Sequence, residues 1–412
     1  MNKTGHCRFC EKPLTNTFVD LGACPPSNSY LSPDALQKME PFYPLHAYVC
    51  DECFLVQLSH SITPEEIFRE YAYFSSYSDT WLTHAKQYTS DMIDRCGLNN
   101  RKFVVEIAGN DGYLLQYFKE RDIPCLNVEP ALNVADVARS KGIETITEFF
   151  GVSLARQLVS QGKNADLLVG NNVLAHVPDI NDFVRGMKLL LKPYGVITME
   201  FPHVLKLIEQ NLFDTIYHEH FSYLSLCTVK RIFESHGLRL FDVEEMPTQG
   251  GSFRIFAQHA DTGPQEIKTR LQGLIELEIN KGLTSINTYR HFSEHVKRTK
   301  RKLLSLLIEI KNHGKSIVGY GAPAKGNTLL NYCGIRTDFL DYTVDRNPVK
   351  QGLFLPGNHI PIFDPDRIKE TKPDYLLILP WNLREEIVDQ MSYIRDWGGK
   401  FIVPIPEPRI FS

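Results

Sequence analysis

The sequence predicts an α/β protein of three units: a small head built on cysteine pairs, a central parallel-sheet domain, and a second α/β domain. Three observations predict this. Two C-x-x-C pairs, Cys7/Cys10 and Cys50/Cys53, lie within the first 53 residues. From residue 103 short apolar runs alternate with helical ones, the pattern of a parallel sheet covered on both faces. The same alternation resumes at KSIVGYGAPAKGN, after residue 314.

A chain of 412 residues exceeds what one hydrophobic core usually sustains, so two or three domains are expected. The boundaries are expected at 1–65, 66–265 and 266–412. An apolar content of 43%, a charged content of 23% and a net charge of −4 argue against general nucleic-acid or membrane-surface binding. The opening MNKTGHCRFC lacks the apolar core of a signal peptide, and no run reaches the roughly eighteen apolar residues of a membrane span. A cytoplasmic location is the resulting expectation; a monomer is expected as well, though not from these features.

In the head, strand-like pieces (FVDLG, HAYVC) flank the cysteine pairs. Each C-x-x-C forms a tight knuckle that aims two thiolates at one ion, the sulfur geometry of tetrahedral zinc. Four thiolates fill that sphere, so the metal is expected to be structural, stabilising a segment too small to fold on its own core. His6 and His46 are expected at the surface rather than as ligands. An odd total of nine cysteines argues against a disulfide framework.

The central stretch opens with Thr63 as a helix cap and Glu66 three residues on, then YAYFSSYSDTW and an amphipathic helix. FVVEIAG is a buried strand and GNDGYLLQYF a turn into a helix. PCLNVEP, ADLLVGNN and YGVITMEFP are further strands. LRLFDVEEMP and GGSFRIFAQH form a closing antiparallel pair. Glu106, Gly109, Asn110, Asp111 and Gly112 fall between the first strand and its helix, where glycines let the backbone approach a ligand. The G-x-G-x-x-G spacing of a dinucleotide fingerprint is absent. Glu129 ends the second strand, where an acid can accept both ribose hydroxyls of an adenosine. Asn171 ends the next strand, with His176 shortly after. Together these look like class I S-adenosylmethionine-dependent methyltransferases, in which placing the methyl group in line with a nucleophile supplies most of the rate.

FDTIYHEHFSYLS packs Tyr217, His218, Glu219 and His220 into four positions, a density suited to proton abstraction. Methylating carbon beside a ketone requires a base and oxyanion donors, and no catalytic metal.

The four-cysteine head, EIAGNDGYL, NNVLAHVPD, IYHEHFSYLS, GGSFR and GYGAPAKGN together closely resemble the sugar C-methyltransferases. These act on nucleotide-linked 4-keto deoxysugars, typically linked to thymidine diphosphate (dTDP). The resemblance spans nearly the whole chain. It implies His220 as general base with Tyr217 and Glu219 in support, and His176 and Tyr71 lining the sugar site. His218 is expected to hold the loop. Many members carry serine in place of Gly109, a change expected to be harmless.

After a charged helical stretch whose KRTKRK run is expected to be a solvated face, VGYGAPAKGNTLLNY reads strand, glycine turn, helix. A helix N-terminus there offers N–H groups to a phosphate, and Lys325 adds charge. The resemblance implies that Ala324, Lys325 and Asp345 help hold the nucleotide diphosphate. Competing expectations are O-methylation or ketoreduction of the same sugar class, and a zinc-ribbon protein that only binds nucleotide.

Overall fold

The computed structural model describes residues 5–59, 62–63 and 74–412. Tyr71 and Glu66 lie outside the described residues. In the head, β1 (Asn16–Cys24), β2 (Tyr43–Val49) and β3 (Val56–Leu58) form an antiparallel sheet. The two cysteine knuckles repeat one turn. Glu11 and Phe54, each just past a second cysteine, adopt left-handed backbone (φ 61° and 59°). Their N–H groups return to the carbonyls of Cys7 (2.9 Å) and Cys50 (3.0 Å). That repeated turn converges the two thiol pairs.

The central domain begins with α1 (Asp79–Cys96), capped by Ser78, whose hydroxyl accepts from Trp81 N–H. Five parallel strands follow: β4 (Val104–Ile107), β5 (Cys125–Val128), β6 (Thr145–Ile146), β7 (Ala165–Asn171) and β8 (Leu191–Pro202). All four residues of β4 are buried, as a strand covered on both faces requires. A two-residue strand, β9 (Ser222–Tyr223), leaves this domain and pairs with β3, so the head sheet runs β1-β2-β3-β9. The antiparallel closing pair is present as β10 (Leu238–Met246) and β11 (Ser252–His259). The large sheet runs β10-β11-β8-β7-β4-β5-β6. Its order reverses at β4, which opens a ligand crevice at the carboxyl ends of β4 and β7.

The charged stretch forms helices Thr269–Asn280, Ile286–Arg290 and Phe292–Asn312. In the last of these Arg298, Arg301 and Lys302 face solvent while Thr299 and Leu303 pack inward. The third sheet runs β14-β13-β12-β15-β16-β17. Its strands are β12 (Ile317–Tyr320), β13 (Thr343–Val344), β14 (Ile362–Phe363), β15 (Tyr375–Ile378), β16 (Lys400–Val403) and β17 (Arg409–Phe411). It too reverses order, at β12, and α2 (Ala324–Cys333) starts just past that strand. Among the described residues no helix is long and apolar enough to cross a membrane.

Candidate active site

The two switch points and the head face one cavity of about 590 Å³, within the range of small-ligand sites. The carboxyl edge of the central sheet contributes Asn110, Glu129 and Asn171. The histidine-rich segment contributes Tyr217, Glu219 and His220, with His176 beside them. The third sheet contributes Ala324 and Lys325 from the start of α2, and Lys350.

The loop after β4 works differently from the sequence expectation. Neither glycine lines the cavity. A side chain at Gly109 would come within 2.5 Å of Asn127 Oδ1 and 2.7 Å of Glu106 Oε2, and one at Gly112 within 2.4 Å of Ile143. Both glycines therefore serve packing behind the loop. Gly112 takes left-handed backbone (φ 75°), and so do Ala108 (φ 54°) and Asn110 (φ 50°), which costs a non-glycine residue about 1–2 kcal/mol and is the kind of strain found at ligand sites. A serine at Gly109 of this chain would have to move a neighbouring side chain. It would displace Asn127, whose amide accepts Gly109 N–H (3.1 Å) and donates to Asn110 O (3.2 Å).

Glu106 is fully buried beneath this loop, and burial pushes its carboxyl up to about 8, against an opposing effect of the Tyr113 hydroxyl. Its two oxygens make no other hydrogen bond among the described residues. Glu129 accepts N–H from Asn110 and Ala131, both at 2.9 Å, and burial lifts it to about 7. Asp111 does not line the cavity. It accepts Ser76 N–H (3.3 Å) and faces Lys141 (3.7 Å), holding the 75–76 turn over the loop. Two buried acids shifted upward beside a roomy crevice fit a cationic cofactor that would draw both toward ionisation.

His220 donates from Nδ1 to the Thr215 carbonyl at 2.8 Å. A carbonyl can only accept, so Nδ1 carries the hydrogen and Nε2 is the basic nitrogen. Burial, the neighbouring His176 and the charge of Lys325 hold its pKa well below the usual histidine value, so the ring is neutral near pH 7. Tyr217 packs on it with ring centres 4.1 Å apart, and His176 meets it edge-on at 4.7 Å. His176 is itself lowered to about 4 by burial. His218 turns away, against Tyr43 of β2. Glu219 is lifted to about 7 by burial, eased by a 2.6 Å bond from Asn28 Nδ2.

Asp345 does not line the cavity. Its carboxylate accepts Ala322 N–H (2.7 Å) and Asn347 N–H (2.8 Å), bracing the glycine turn behind α2. Lys325 donates to Asn382 (2.7 Å) and lies 4.9 Å over the Trp381 ring. Several groups escaped the sequence reading. Asn28 arrives from the head, 191 residues before its partner. His203, paired with Glu278 at 2.7 Å, also lines the cavity. Asp214, wholly buried, accepts the Trp381 indole N–H at 2.6 Å across the border with the third sheet. Only Tyr113, four residues past Gly109, carried a local signal.

The four cysteine sulfurs lie within 4.8 Å of one another. Tetrahedral zinc with bonds of about 2.3 Å spaces its sulfurs by roughly 3.8 Å. The donor set fits.

C-methyltransferase NovU of Streptomyces niveus is 36% identical to this chain over 406 residues, 98% of this chain and 96% of that protein. The chain belongs to the C-methyltransferase family. Family models match the C-methyltransferase across its length: a zinc binding domain over residues 7–68, a methyltransferase domain over 81–243, and a C-methyltransferase C-terminal domain over 247–406. Among solved structures it is similar to an S-adenosylmethionine-dependent methyltransferase from Clostridium acetobutylicum ATCC 824, at 10% identity and a TM-score of 0.36, covering 43% of this chain and 92% of that one. It is also similar to magnesium protoporphyrin IX methyltransferase from Synechocystis PCC 6803, at 13% identity and a TM-score of 0.34, covering 43% and 82%. The enzyme is an S-adenosylmethionine-dependent C-methyltransferase with a zinc-binding head, which sets aside the nucleotide-binding zinc ribbon.

Proposed function

We propose that the enzyme methylates the carbon beside the ketone of a dTDP-linked 4-keto deoxysugar, by way of an enolate. The observation that carries this reading is the tautomer of His220. Its bond to Thr215 leaves Nε2 as a neutral base in the same cavity as the carboxyl-edge residues of the central sheet.

In this reading Asn110, Glu129 and Asn171 hold S-adenosylmethionine from the cavity wall, with Glu106 supplying negative charge behind them. Gly109, Gly112 and Asp111 shape that wall. When bound, this cofactor supplies an electrophilic methyl group. His220 Nε2 removes the proton next to the ketone, and the rings of Tyr217 and His176 restrain the imidazole while it does so. Glu219, titrating near neutrality, can hydrogen-bond the sugar as acid or carboxylate. The N-terminus of α2 at Ala324, with the Lys325 ammonium, suits the diphosphate.

The test is proton exchange. With a dTDP-4-keto-6-deoxysugar in deuterated water, the parent enzyme exchanges the hydrogen beside the ketone, and on adding S-adenosylmethionine yields a carbon-methylated product, both read by NMR. Methylation on oxygen, or methylation with no exchange by the enzyme, would remove the reading.

A further inference from the structure

The first zinc knuckle reaches both histidine-bearing segments. Arg8, between two of the metal-binding cysteines, is 7% exposed. One guanidinium nitrogen donates to the Leu58 carbonyl of β3 and another to the Pro178 carbonyl, both at 2.8 Å. Pro178 closes the turn just past His176. Leu58 N–H in turn bonds the carbonyl of Phe221, the residue after His220, at 3.1 Å. The Phe221 ring lies under the guanidinium, 5.5 Å from it.

Gln57 forms the second link. It is fully buried, its amide donates to Cys7 Sγ at 3.1 Å, and its carbonyl oxygen accepts Arg8 N–H at 2.8 Å. The backbone at Gln57 pairs with Ser222 of β9, two residues past His220. A strand as short as β9 has little stability of its own and takes its position from what it pairs with. The buried pairing surface is β3, and β3 is tied through Gln57 to a zinc-ligating thiolate. Such outer contacts to metal ligands orient both partners.

We infer that the zinc head positions the catalytic base, with Arg8 and Gln57 as positioning residues that set His220 and His176 in register. The inference rests on His220 being that base. Of the contacts named, none is a hydrogen bond to β4, β5 or β7, the strands of the cofactor wall; the Pro178 carbonyl lies seven residues past the end of β7. Disturbing the head therefore separates proton abstraction from cofactor binding. Arginine is suited to the role because its planar fork reaches two carbonyls at once, which a lysine cannot do.

The experiment compares the parent, Arg8→Ala, Arg8→Lys, Gln57→Leu and His220→Ala as full-length zinc-loaded protein. It reads zinc content, S-adenosylhomocysteine affinity by calorimetry, the keto-sugar exchange rate in deuterated water, and the His220 ring resonances. Arg8→Ala and Gln57→Leu are expected to keep zinc and cofactor affinity, shift the His220 resonances, and slow exchange by about 10²-fold, the scale of an ångström-sized misplacement. Arg8→Lys recovers part of the rate. Where Arg8→Ala does not fold, graded removal of zinc from the parent by a chelator replaces it, with exchange expected to fall before cofactor affinity does. Unchanged exchange and His220 resonances in both head variants overturn the inference, as does loss of cofactor affinity in step with exchange. Normal exchange by His220→Ala would instead overturn the assignment of the base, a separately visible result.

Discussion

Cofactor binding should release protons, and the amount follows from two buried acids. In the free enzyme Glu106 is pushed up to about 8 and Glu129 to about 7, each chiefly by burial. At pH 7 a carboxyl with a pKa of about 8 is about nine-tenths protonated and one of about 7 half protonated, so the pair holds roughly 1.4 protons. S-adenosylmethionine brings a sulfonium and an ammonium, and its ribose hydroxyls donate hydrogen bonds, so each contact favours the ionised acid. Binding at pH 7 is then expected to release about one proton, and affinity is expected to rise between pH 6 and 8 by up to about tenfold per unit. The assay is titration calorimetry at pH 7 in phosphate and in Tris, whose ionisation enthalpies differ widely. Glu106→Gln should abolish most of the buffer dependence. The stability of the free protein runs the opposite way. A folded-state pKa above the unfolded value of 4.5 means stability present at low pH and lost as pH rises toward 8. Identical heats in the two buffers, or affinity that falls with rising pH, would refute the role given to these acids.

His220→Ala should lower methyl transfer and solvent exchange together, by about 10²–10⁴-fold, the usual contribution of a general base. Because burial holds the His220 pKa well below 6.5, the parent rate at saturating S-adenosylmethionine should show no acid limb from His220 near pH 6.5, which a pH–rate profile checks. Gly109→Ser should cost about 1–3 kcal/mol, since Asn127 must give up bonds to Gly109 and Asn110; thermal unfolding and cofactor affinity both report it. Trp381→Phe removes the indole donor from wholly buried Asp214, again about 1–3 kcal/mol. It should loosen the turn Phe213–Thr215 that orients His220, and Asp214→Asn in the same background should restore part of the loss, measured as melting temperature and exchange rate.

The carboxyl edge of the central sheet was legible in the sequence because Glu129 and Asn171 mark the ends of strands whose apolar runs are visible. Glu129 and Asn171 stand where β5 and β7 stop, and both reach the cavity. The same pattern misled at Asp345. It also stands just past a strand, yet its oxygens are taken by the backbone of Ala322 and Asn347. A strand-end acid announces a position, and only the neighbouring backbone decides whether the position is a ligand's. The glycines of the first loop misled for a related reason. Spacing marks them as special, but whether they admit a ligand or a neighbouring side chain depends on Asn127 and Ile143, 18 and 31 residues away. β9 was invisible because two residues carry no periodicity.

What could not be read locally shares one physical character. Asn28 to Glu219, Trp381 to Asp214, and β3 to β9 each join units far apart in the chain, and each ends on the segment between residues 213 and 223. That segment contributes only β9, at the edge of the head sheet, and has no place in the two large sheets, so its geometry is set by three neighbours rather than by its own residues. Histidines dense enough for acid–base chemistry are easy to recognise as a composition. In the proposed reading their competence depends on a carbonyl at residue 215, a thiolate-linked amide at 57 and an indole at 381 acting on one loop. A base held from several sides meets the tolerance that proton transfer demands, since hydrogen-bond reach leaves only a few tenths of an ångström of freedom. The crevice at the carboxyl edge, by contrast, lies at the ends of β4, β5 and β7 of one sheet. This asymmetry explains why a common crevice can be recognised from spacing alone, whereas the chemistry done in it depends on the two flanking units.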